Sequence, residues 1–287
     1  MLYHTPLPLL QRTLAALAAA VDKAVAAGEV TTVQLTLIDN AARTEIAPNS
    51  PDYNACKRPK YGHRQPIEYR NLHLQNSLNL NIAWVTGQGN IGYGAANNLV
   101  LLESTAPFHL VLNPDVEMAD DCLTQGLRNM KNQPNTVLLS PVANSPTGDP
   151  LYLAKRLPTV DVLFLRGFAP KWLLRGLPSF MKTRLAAYEY REVAFDAPQD
   201  NLKIVSGAFM LLRQAAVEAL EPRGFDAKYF LYFEDFDLSL RLSKIGNVVR
   251  EPNCKIIHVG GGAGKKGVKH IAYFVCSAAR FFVQHRL

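Results

Sequence analysis

"LNIAWVTGQGNIGYGAANNLVLLESTAPFHLVLNPD", residues 80–115, decides the fold. Its two ends, "LNIAWVTG" and "FHLVLNPD", are apolar runs of strand length closed by glycine or by Asn-Pro-Asp, and the stretch from Ala95 to Glu103 between them reads as helix. Strand, helix and strand with nearly continuous apolar runs imply parallel pairing covered on both faces. The expectation is an α/β domain whose central sheet is mostly parallel, with helices on both sides.

The pattern extends in both directions. Upstream, Thr5 is positioned to cap a helix that opens with Pro6, and Leu10, Leu14, Leu17, Val21 and Val25 repeat at helical spacing. "TTVQLTLID" is a strand that ends at Asp39. Residues 48–75, rich in Pro, Asn, Lys, Arg and Tyr, read as a long surface excursion. Downstream, "TVLLSPVA" is a further strand and "NLKIVSGAFMLLR" a strand pair or a strand and turn, followed by a short helix near Ala215–Leu220. Leu238, Leu242 and Ile245 share a helical face that Gly246 stops, and "NVVREPNCKIIHVGGG" returns as a strand. The tail from Val268 places Ile271, Phe274, Val275, Ala278 and Phe282 on one face, with Lys265, Lys266 and Lys269 nearby. Residues 148–199 show no clear period. No internal repeat appears, so the simplest organisation is one domain over 1–262 with a helical appendage over 263–287 that packs on its own domain, a sister subunit or a membrane surface.

Composition bounds the chemistry. At 287 residues, 48% hydrophobic and 19% charged, the chain builds a real core. A net charge of +7 favours anionic partners without choosing among nucleotides, phosphosugars, acidic lipid and nucleic acid. Cys56, Cys122, Cys254 and Cys276 form no CxxC pair, which predicts free thiols in a reducing cytoplasm and no zinc site. "MLYHTPLPLL" lacks the pattern of a secretory signal, and no apolar run approaches the ~20 residues of a membrane span. A cytoplasmic protein is expected, one that touches membrane at most at the inner face.

In open α/β sheets, ligands bind beyond the carboxyl ends of the strands. Asp39-Asn40, the segment Gly87–Asn98 and Asn113-Pro114-Asp115 all fall at such ends. Each alone is explained as a turn, but the recurrence favours a site. Asp115 at a strand end suits Mg²⁺ or Mn²⁺, with a diphosphate supplying other ligands. "GNIGYGAANN" lets backbone approach a ligand, although its spacing is neither the dinucleotide fingerprint nor a P-loop. "YFLYFEDFDLSLRL", residues 229–242, sets Glu234 and Asp235 between Phe233 and Phe236. Capping needs one carboxylate, whereas apolar walls beside a pair suit a base whose pKa is lifted toward working pH. His258 is a lone histidine before three glycines, either structural or part of a metal shell.

In order, "LIDNA", "GNIGYGAANN", "LVLNPDV", "IVSGAFMLLR", "GFDAKYFLYFEDFDLSLRLSKIG" and "IIHVGGG" resemble glycosyltransferase family 2, the inverting GT-A enzymes, and its bacterial rhamnosyltransferase-like branch. The tail "KHIAYFVCSAARFF" also resembles the endings of rhamnosyltransferases of surface-polysaccharide clusters. The resemblance implies a GT-A fold and an inverting transfer, with Asp39 and Asn40 on the nucleobase and ribose. It places Asn90, Gly92, Tyr93 and Asn98 along the donor, and Asn113 and Asp115 at the DxD position with Asp115 on the metal. Asp235 becomes the base with Glu234 beside it, His258 lies near the metal and diphosphate, and Arg241 is a basic residue of the same helix. The family begins with a full apolar strand before the segment matching "LYHTP"; here only Met1 and Leu2 precede Tyr3 and His4, so that strand is trimmed or very short. Ala42 and Thr44 stand where the family continues with Ser and a second Asp.

The implied reaction moves L-rhamnose from dTDP-L-rhamnose to a growing surface polysaccharide or lipid-linked glycan, such as O-antigen. A sugar-phosphate nucleotidyltransferase is the enzymatic alternative, though no Gly-rich, Arg/Lys-bearing loop lies near the start. A non-catalytic basic binding protein is the other. "KRPKYGHRQPIEYR" permits single-stranded nucleic-acid contact, but a solvated loop explains it equally, and no nucleic acid is expected.

Overall fold

A computed structural model describes residues 1–41, 60–62, 80–169, 171–260 and 267–287. The excursion over 48–75 lies outside them except for a three-residue strand, as do Ala42, Thr44, Lys265 and Lys266. In chain order the elements are α1 (Leu7–Ala26), β1 (Val33–Ile38), β2 (Lys60–Gly62), β3 (Leu80–Thr86), α2 (Tyr93–Leu101), β4 (Phe108–Leu112), β5 (Val116–Met118), α3 (Cys122–Asn132) and β6 (Thr136–Asn144). They continue as β7 (Pro150–Leu151), β8 (Ala154–Lys155), α4 (Val160–Phe168), α5 (Lys171–Gly176), α6 (Ser179–Tyr188), β9 (Ile204–Val205) and β10 (Phe209–Arg213). The last four are α7 (Gln214–Glu218), α8 (Glu234–Leu242), β11 (Asn247–His258) and α9 (Gly267–His285).

The fold is α/β, but its sheet is mixed, which corrects the mostly parallel expectation. One sheet has the order β1-β3-β2, with β1 parallel to β3. The larger, six-stranded sheet runs β4-β10-β6-β11-β5, with β7 beside β6, and only β6 and β11 pair in parallel. β10 is antiparallel to both β4 and β6, and β5 to β11. The strands of residues 80–115 therefore sit in different sheets. Continuous apolar runs record burial on both faces, and β6 is buried along almost its whole length; they do not record direction.

Alternation along the strands builds a core on each face. Leu139, Leu211 and Val249 point to one side with Leu17, Val21, Leu123 and Met130 of α1 and α3. Leu138, Met210, Leu212 and Val248 point to the other, with Leu101 of α2 and Leu238 and Leu242 of α8. Ala20 and Ala24 of α1 are fully buried, so the small side chains let that helix lie close to its neighbours. Pro6 itself is the N-cap residue of α1, and no side chain caps the helix, so Thr5 does not take the expected role. Ile245 is half-exposed, off the buried face that Leu238 and Leu242 share.

The tail helix packs on the body. Phe281 is fully buried with Leu163 of α4, Tyr229, Phe233 and Leu240, and the Ser277 hydroxyl donates to Leu231 O at 2.9 Å. Phe274, Ala278 and Phe282 of the expected stripe pack inward beside Ser277 and Phe281, whereas Ile271 and Val275 are exposed. Cys122, Cys254 and Cys276 are free thiols. Among the described residues no helix is long and apolar enough to cross a membrane.

Candidate active site

Where β1 and β4 end, and where the chain enters α2 and α8, the fold leaves a cavity of about 890 Å³. Tyr3, His4, Asn40, Asn90, Gly92, Tyr93, Asn113, Asp115, Glu234 and Asp235 all line it. Side chains more than two hundred positions apart in sequence thus meet at one opening, which is where ligands of open α/β sheets bind.

The β1 side is held by amide chemistry. Asn40 is buried; its Nδ2 donates to Asn90 Oδ1 at 3.1 Å and to Gly92 O at 3.3 Å, and its Oδ1 accepts from Ile91 N–H at 3.3 Å. This side chain staples the strand end to the glycine loop. Asp39 is buried behind it, accepting Ala41 N–H at 3.0 Å, and does not line the cavity. Gly92 has φ +89°, and Tyr93 N–H donates to Phe230 O at 3.0 Å, which ties the loop to the segment leading into α8.

The acidic pair owes its position to a strained turn. Tyr232 (φ +67°) and Phe233 (φ +64°) are consecutive aromatic residues in the left-handed region, at ~1–2 kcal/mol each for an L-residue. Packing of Phe233 against Phe236, Phe274 and Phe281 holds them there. The turn aims Asp235 at Gly207, whose N–H donates to Oδ2 at 2.8 Å, while Phe236 N–H donates to Oδ1 at 2.9 Å. A side chain on Gly207 would press on Asp235 and on the Tyr93 ring, both 3.3 Å from its Cβ position. Burial raises the Asp235 pKa above the ordinary aspartate value, and those two amides hold part of the rise back. Glu234 is buried, and burial followed by the Asp235 charge lifts it well above the carboxylate range. Both carboxyls are therefore harder to ionise than in water, Glu234 through burial and through its neighbour's charge as well. Glu234 Oε2 has no hydrogen-bond partner among the described residues.

Across the cavity, Tyr93 Oη lies 2.6 Å from Gly207 O and 3.1 Å from Asn113 Oδ1. Burial, and then the charges of Glu234, Asp235 and Asp115, push its pKa far up, so the phenol stays a donor. Asp115 Oδ1 is buried without a hydrogen bond among the described residues, and His258 Nε2 stands 3.3 Å from it. A carboxylate oxygen and an imidazole together fit a divalent cation that completes its shell with ligand oxygens. No group of three or more protein ligands is found among the described residues, so such a cation would depend on a bound ligand for the rest.

Like Asp39, two further predicted residues hold the fold and do not face the cavity. Asn98 clamps backbone, donating to Phe225 O at 2.8 Å and accepting Phe225 N–H at 2.9 Å. Arg241 is buried, with Nε 2.8 Å from Asp237 Oδ2 and further bonds to Pro222 O and Gly224 O at 2.7 Å each. Asp237 also receives Gln284 at 3.0 Å and faces His285 at 2.9 Å, so the third carboxylate of the acidic cluster joins α8 to α9. The sequence reading missed Lys269, His270 and Tyr273 of α9, which line the cavity, with Tyr232 Oη 3.0 Å from His270 Nδ1. Their signal was the polar edge of an amphipathic tail, hidden behind its apolar stripe. Ser206 and Gly207 also line the cavity, from a motif in which no site residue was singled out.

No family model matches the chain. Over 210 residues it is 25% identical to N-acetylglucosaminyl-diphospho-decaprenol L-rhamnosyltransferase from Mycobacterium tuberculosis, in both strain CDC 1551 / Oshkosh and strain ATCC 25618 / H37Rv. The alignment covers 67% of this chain and spans 64% of the length of those curated relatives. Among solved structures, that of S. aureus TarS 1–349 aligns with a TM-score of 0.40 at 10% identity, over 84% of this chain and 56% of that one. The same protein in complex with UDP gives 0.42 at 10% identity, over 91% and 61%. By sequence the chain is a distant homologue of an L-rhamnosyltransferase, the enzyme class that the order of its motifs resembles.

Proposed function

We propose that the chain is an inverting glycosyltransferase that moves a sugar from a nucleotide-diphosphate donor to a hydroxyl of a lipid-linked glycan, with dTDP-L-rhamnose as donor. The observation that carries this reading is the convergence of Asp235 and Asp115 on one cavity from elements far apart in the chain. The name of the mycobacterial relative, an L-rhamnosyltransferase acting on a diphospho-decaprenol glycan, supports the choice of sugar and acceptor class.

In this reading Asp235, oriented by the amides of Gly207 and Phe236, takes the proton of the acceptor hydroxyl as its oxygen attacks the anomeric carbon. Attack from the face opposite the diphosphate inverts the anomeric configuration. Glu234, kept protonated by burial and by Asp235, donates a hydrogen bond to a sugar hydroxyl. Tyr3, His4, Asn40 and Asn90 contact the nucleoside end of the donor, while Asn113 and the Tyr93 hydroxyl face its sugar-diphosphate. Asp115 and His258 would hold Mg²⁺ or Mn²⁺, which supplies charge stabilisation for the leaving diphosphate. Lys269 and His270 add positive charge at the opening.

A membrane surface is the natural place to meet a lipid-linked acceptor. Val160, Phe164, Trp172, Phe180, Val268 and Val283 are exposed apolar residues on helices that also carry Arg166, Arg175, Lys182, Arg184, Lys269 and Arg280, a combination that suits an anionic lipid interface. The test of the function is a panel of nucleotide sugars in transfer and thermal-shift assays, with and without Mn²⁺, beside a reaction of NTP with sugar 1-phosphate. Donor-dependent transfer supports the reading, and nucleotidyl transfer in its place overturns it. Retention by anionic liposomes at low salt checks the membrane contact, and a protein that stays in the supernatant removes it.

A further inference from the structure

One buried carboxylate outside the cavity is surrounded by more positive charge than it neutralises. Glu189 follows α6 and is buried; it receives Lys155 Nζ at 3.1 Å, Arg191 Nη2 at 2.6 Å and Arg191 Nε at 2.8 Å, with Arg166 on the same carboxyl. Three cations on one carboxylate leave a formal surplus of two positive charges. Burial opposes ionisation of Glu189, but the charges of Lys155 and Arg166 outweigh it and hold its carboxyl below the usual range. Burial also lowers the Lys155 pKa to about 8 despite the pull of Glu189, and Arg166 and Arg191 push the same way. The neighbouring arginines are answered by other acids, Arg156 by Glu192 and Arg184 by Asp161. The side chains of Arg166 and Arg191 are 45% and 49% exposed, so an anion from solvent can use donors that a single carboxylate cannot satisfy.

The cluster is built onto the segment that orients Asp235. β8 pairs antiparallel with β9, Lys155 opposite Ile204 and Ala154 opposite Val205, and Ser206 N–H donates to Leu153 O at 3.0 Å. The next residue is Gly207, whose amide holds Asp235. Arg156 N–H donates to Tyr188 O at 2.9 Å, which ties the end of α6 to β8. Tyr188 links cluster and base: Lys155 Nζ stands 5.7 Å from its ring centroid, and burial together with the Asp235 charge pushes its phenol far up. α4, which carries Arg166, packs through Leu163 on the same aromatic cluster as Phe233, the residue before the acid pair. Phe164 of that helix is exposed, so positive charge and apolar surface share one short element.

We infer that Lys155, Arg166 and Arg191 seat the diphosphate of the acceptor, on the Asp235 side of the site. The inference rests on the function proposed above, in which the acceptor is a lipid-linked glycan, and it assigns a site which that reading leaves open. In such an acceptor the diphosphate joins the sugar to the lipid, so its seat belongs between the base that takes the sugar proton and an apolar surface for the chain. The surplus of positive charge matches a diphosphate, and guanidinium forks bind its oxygens in pairs. The donor diphosphate has its own place across the cavity at Asn113 and Asp115, so the two anions do not compete for one site.

The test has a binding arm and a transfer arm, both on the full chain. In the first, inorganic pyrophosphate is titrated by calorimetry in the presence of chelator, which removes any cation from Asp115 and His258. Binding should saturate, and the double variant Arg166→Gln/Arg191→Gln should weaken it by at least ~10-fold. Arg128→Gln, which removes a positive charge from α3, should leave it unchanged, and Glu189→Gln should tighten it because the counter-charge is gone. Absent saturation, or an equal loss in Arg128→Gln, overturns the inference. The transfer arm compares a short-chain sugar-diphospho-lipid with an alkyl glycoside of the same sugar, in detergent without phospholipid. The double variant should raise KM at least ~10-fold for the first acceptor and leave KM for the second, and for the donor, as in wild type. Equal KM changes for both acceptors overturn the inference. So does loss of retention on phosphatidylglycerol vesicles with the acceptor KM unchanged, which would make the cluster a seat for phospholipid headgroups. Absence of all transfer tells against the proposed function, while the pyrophosphate arm decides on the anion seat by itself.

Discussion

Gly92→Ala is the sharpest local perturbation this site allows. Gly92 has φ +89°, and a Cβ built there falls 2.3 Å from Phe230 O. An ordinary carbon–oxygen contact is ~3.3–3.6 Å, so one of the two segments must retreat by ~1 Å. Neither retreats freely: the Gly92 carbonyl accepts Asn40 Nδ2 at 3.3 Å, and Phe230 O accepts Tyr93 N–H at 3.0 Å. Phe230 precedes the left-handed Tyr232–Phe233 turn that aims Asp235, so the displacement passes into the acid pair. A misplacement of ~1 Å at a reacting group costs ~10²-fold in rate, and the left-handed alanine adds ~1–2 kcal/mol of instability. Gly28→Ala is the control: φ is +72° but nothing lies within 4 Å of the added carbon, so only the same backbone cost of ~1–2 kcal/mol applies. Single-turnover transfer from the preferred nucleotide sugar, with melting curves for both variants, reads the difference. A folded Gly92→Ala protein that keeps more than a third of the wild-type rate would refute the coupling between the glycine loop and the base.

Three further outcomes are expected. Glu234 is raised in the folded state, so between the ordinary glutamate value of 4.5 and its folded pKa the native protein holds a proton that the unfolded chain releases; stability is full below 4.5 and falls as pH rises. Glu234→Gln removes that loss, so its Tm advantage over wild type should grow by about 3 °C or more from pH 4 to pH 8, and a shrinking advantage contradicts the assignment. Asp237→Ala leaves Arg241 buried and unpaired and should cost ~3–5 kcal/mol, with faster proteolysis in α9; a Tm within 2 °C of wild type, on a scale of ~2–4 °C per kcal/mol, argues against the α8–α9 network. Chelation should abolish transfer and Mn²⁺ or Mg²⁺ restore it, with Asp115→Asn requiring more metal for half-maximal rate; full activity in chelator removes the cation from the mechanism.

What the sequence made legible were the features that burial and turn chemistry write locally. The nearly continuous apolar runs of β6 and β10 announce strands covered on both faces, and the Asn- and Gly-rich strand ends announce a site. Direction is another matter. Nothing in "GAFMLLR" says that β10 runs antiparallel between β4 and β6, because hydrophobic pattern specifies a face and not a partner. Arg241 shows how a charged residue misleads: its partner Asp237 sits four residues earlier on the same helix, a spacing that favours internal pairing over ligand contact. In α9 the adjacent Phe281 and Phe282 both pack on the cluster of Leu163 and Phe233, and only that packing makes Phe281, which lies off the expected stripe, the fully buried one. Lys269 and His270 reach the cavity through a long-range fold-back that no local pattern encodes.

The most direct measurement is transfer by Asp235→Asn, read beside donor binding by the same protein. Asparagine keeps the shape of the side chain and an oxygen for the Gly207 amide while removing the base. Base catalysis contributes ~10²–10⁴-fold, so transfer should fall by at least ~10² while nucleotide-sugar affinity and Tm stay near wild type. Transfer at an undiminished rate would contradict the account at its centre.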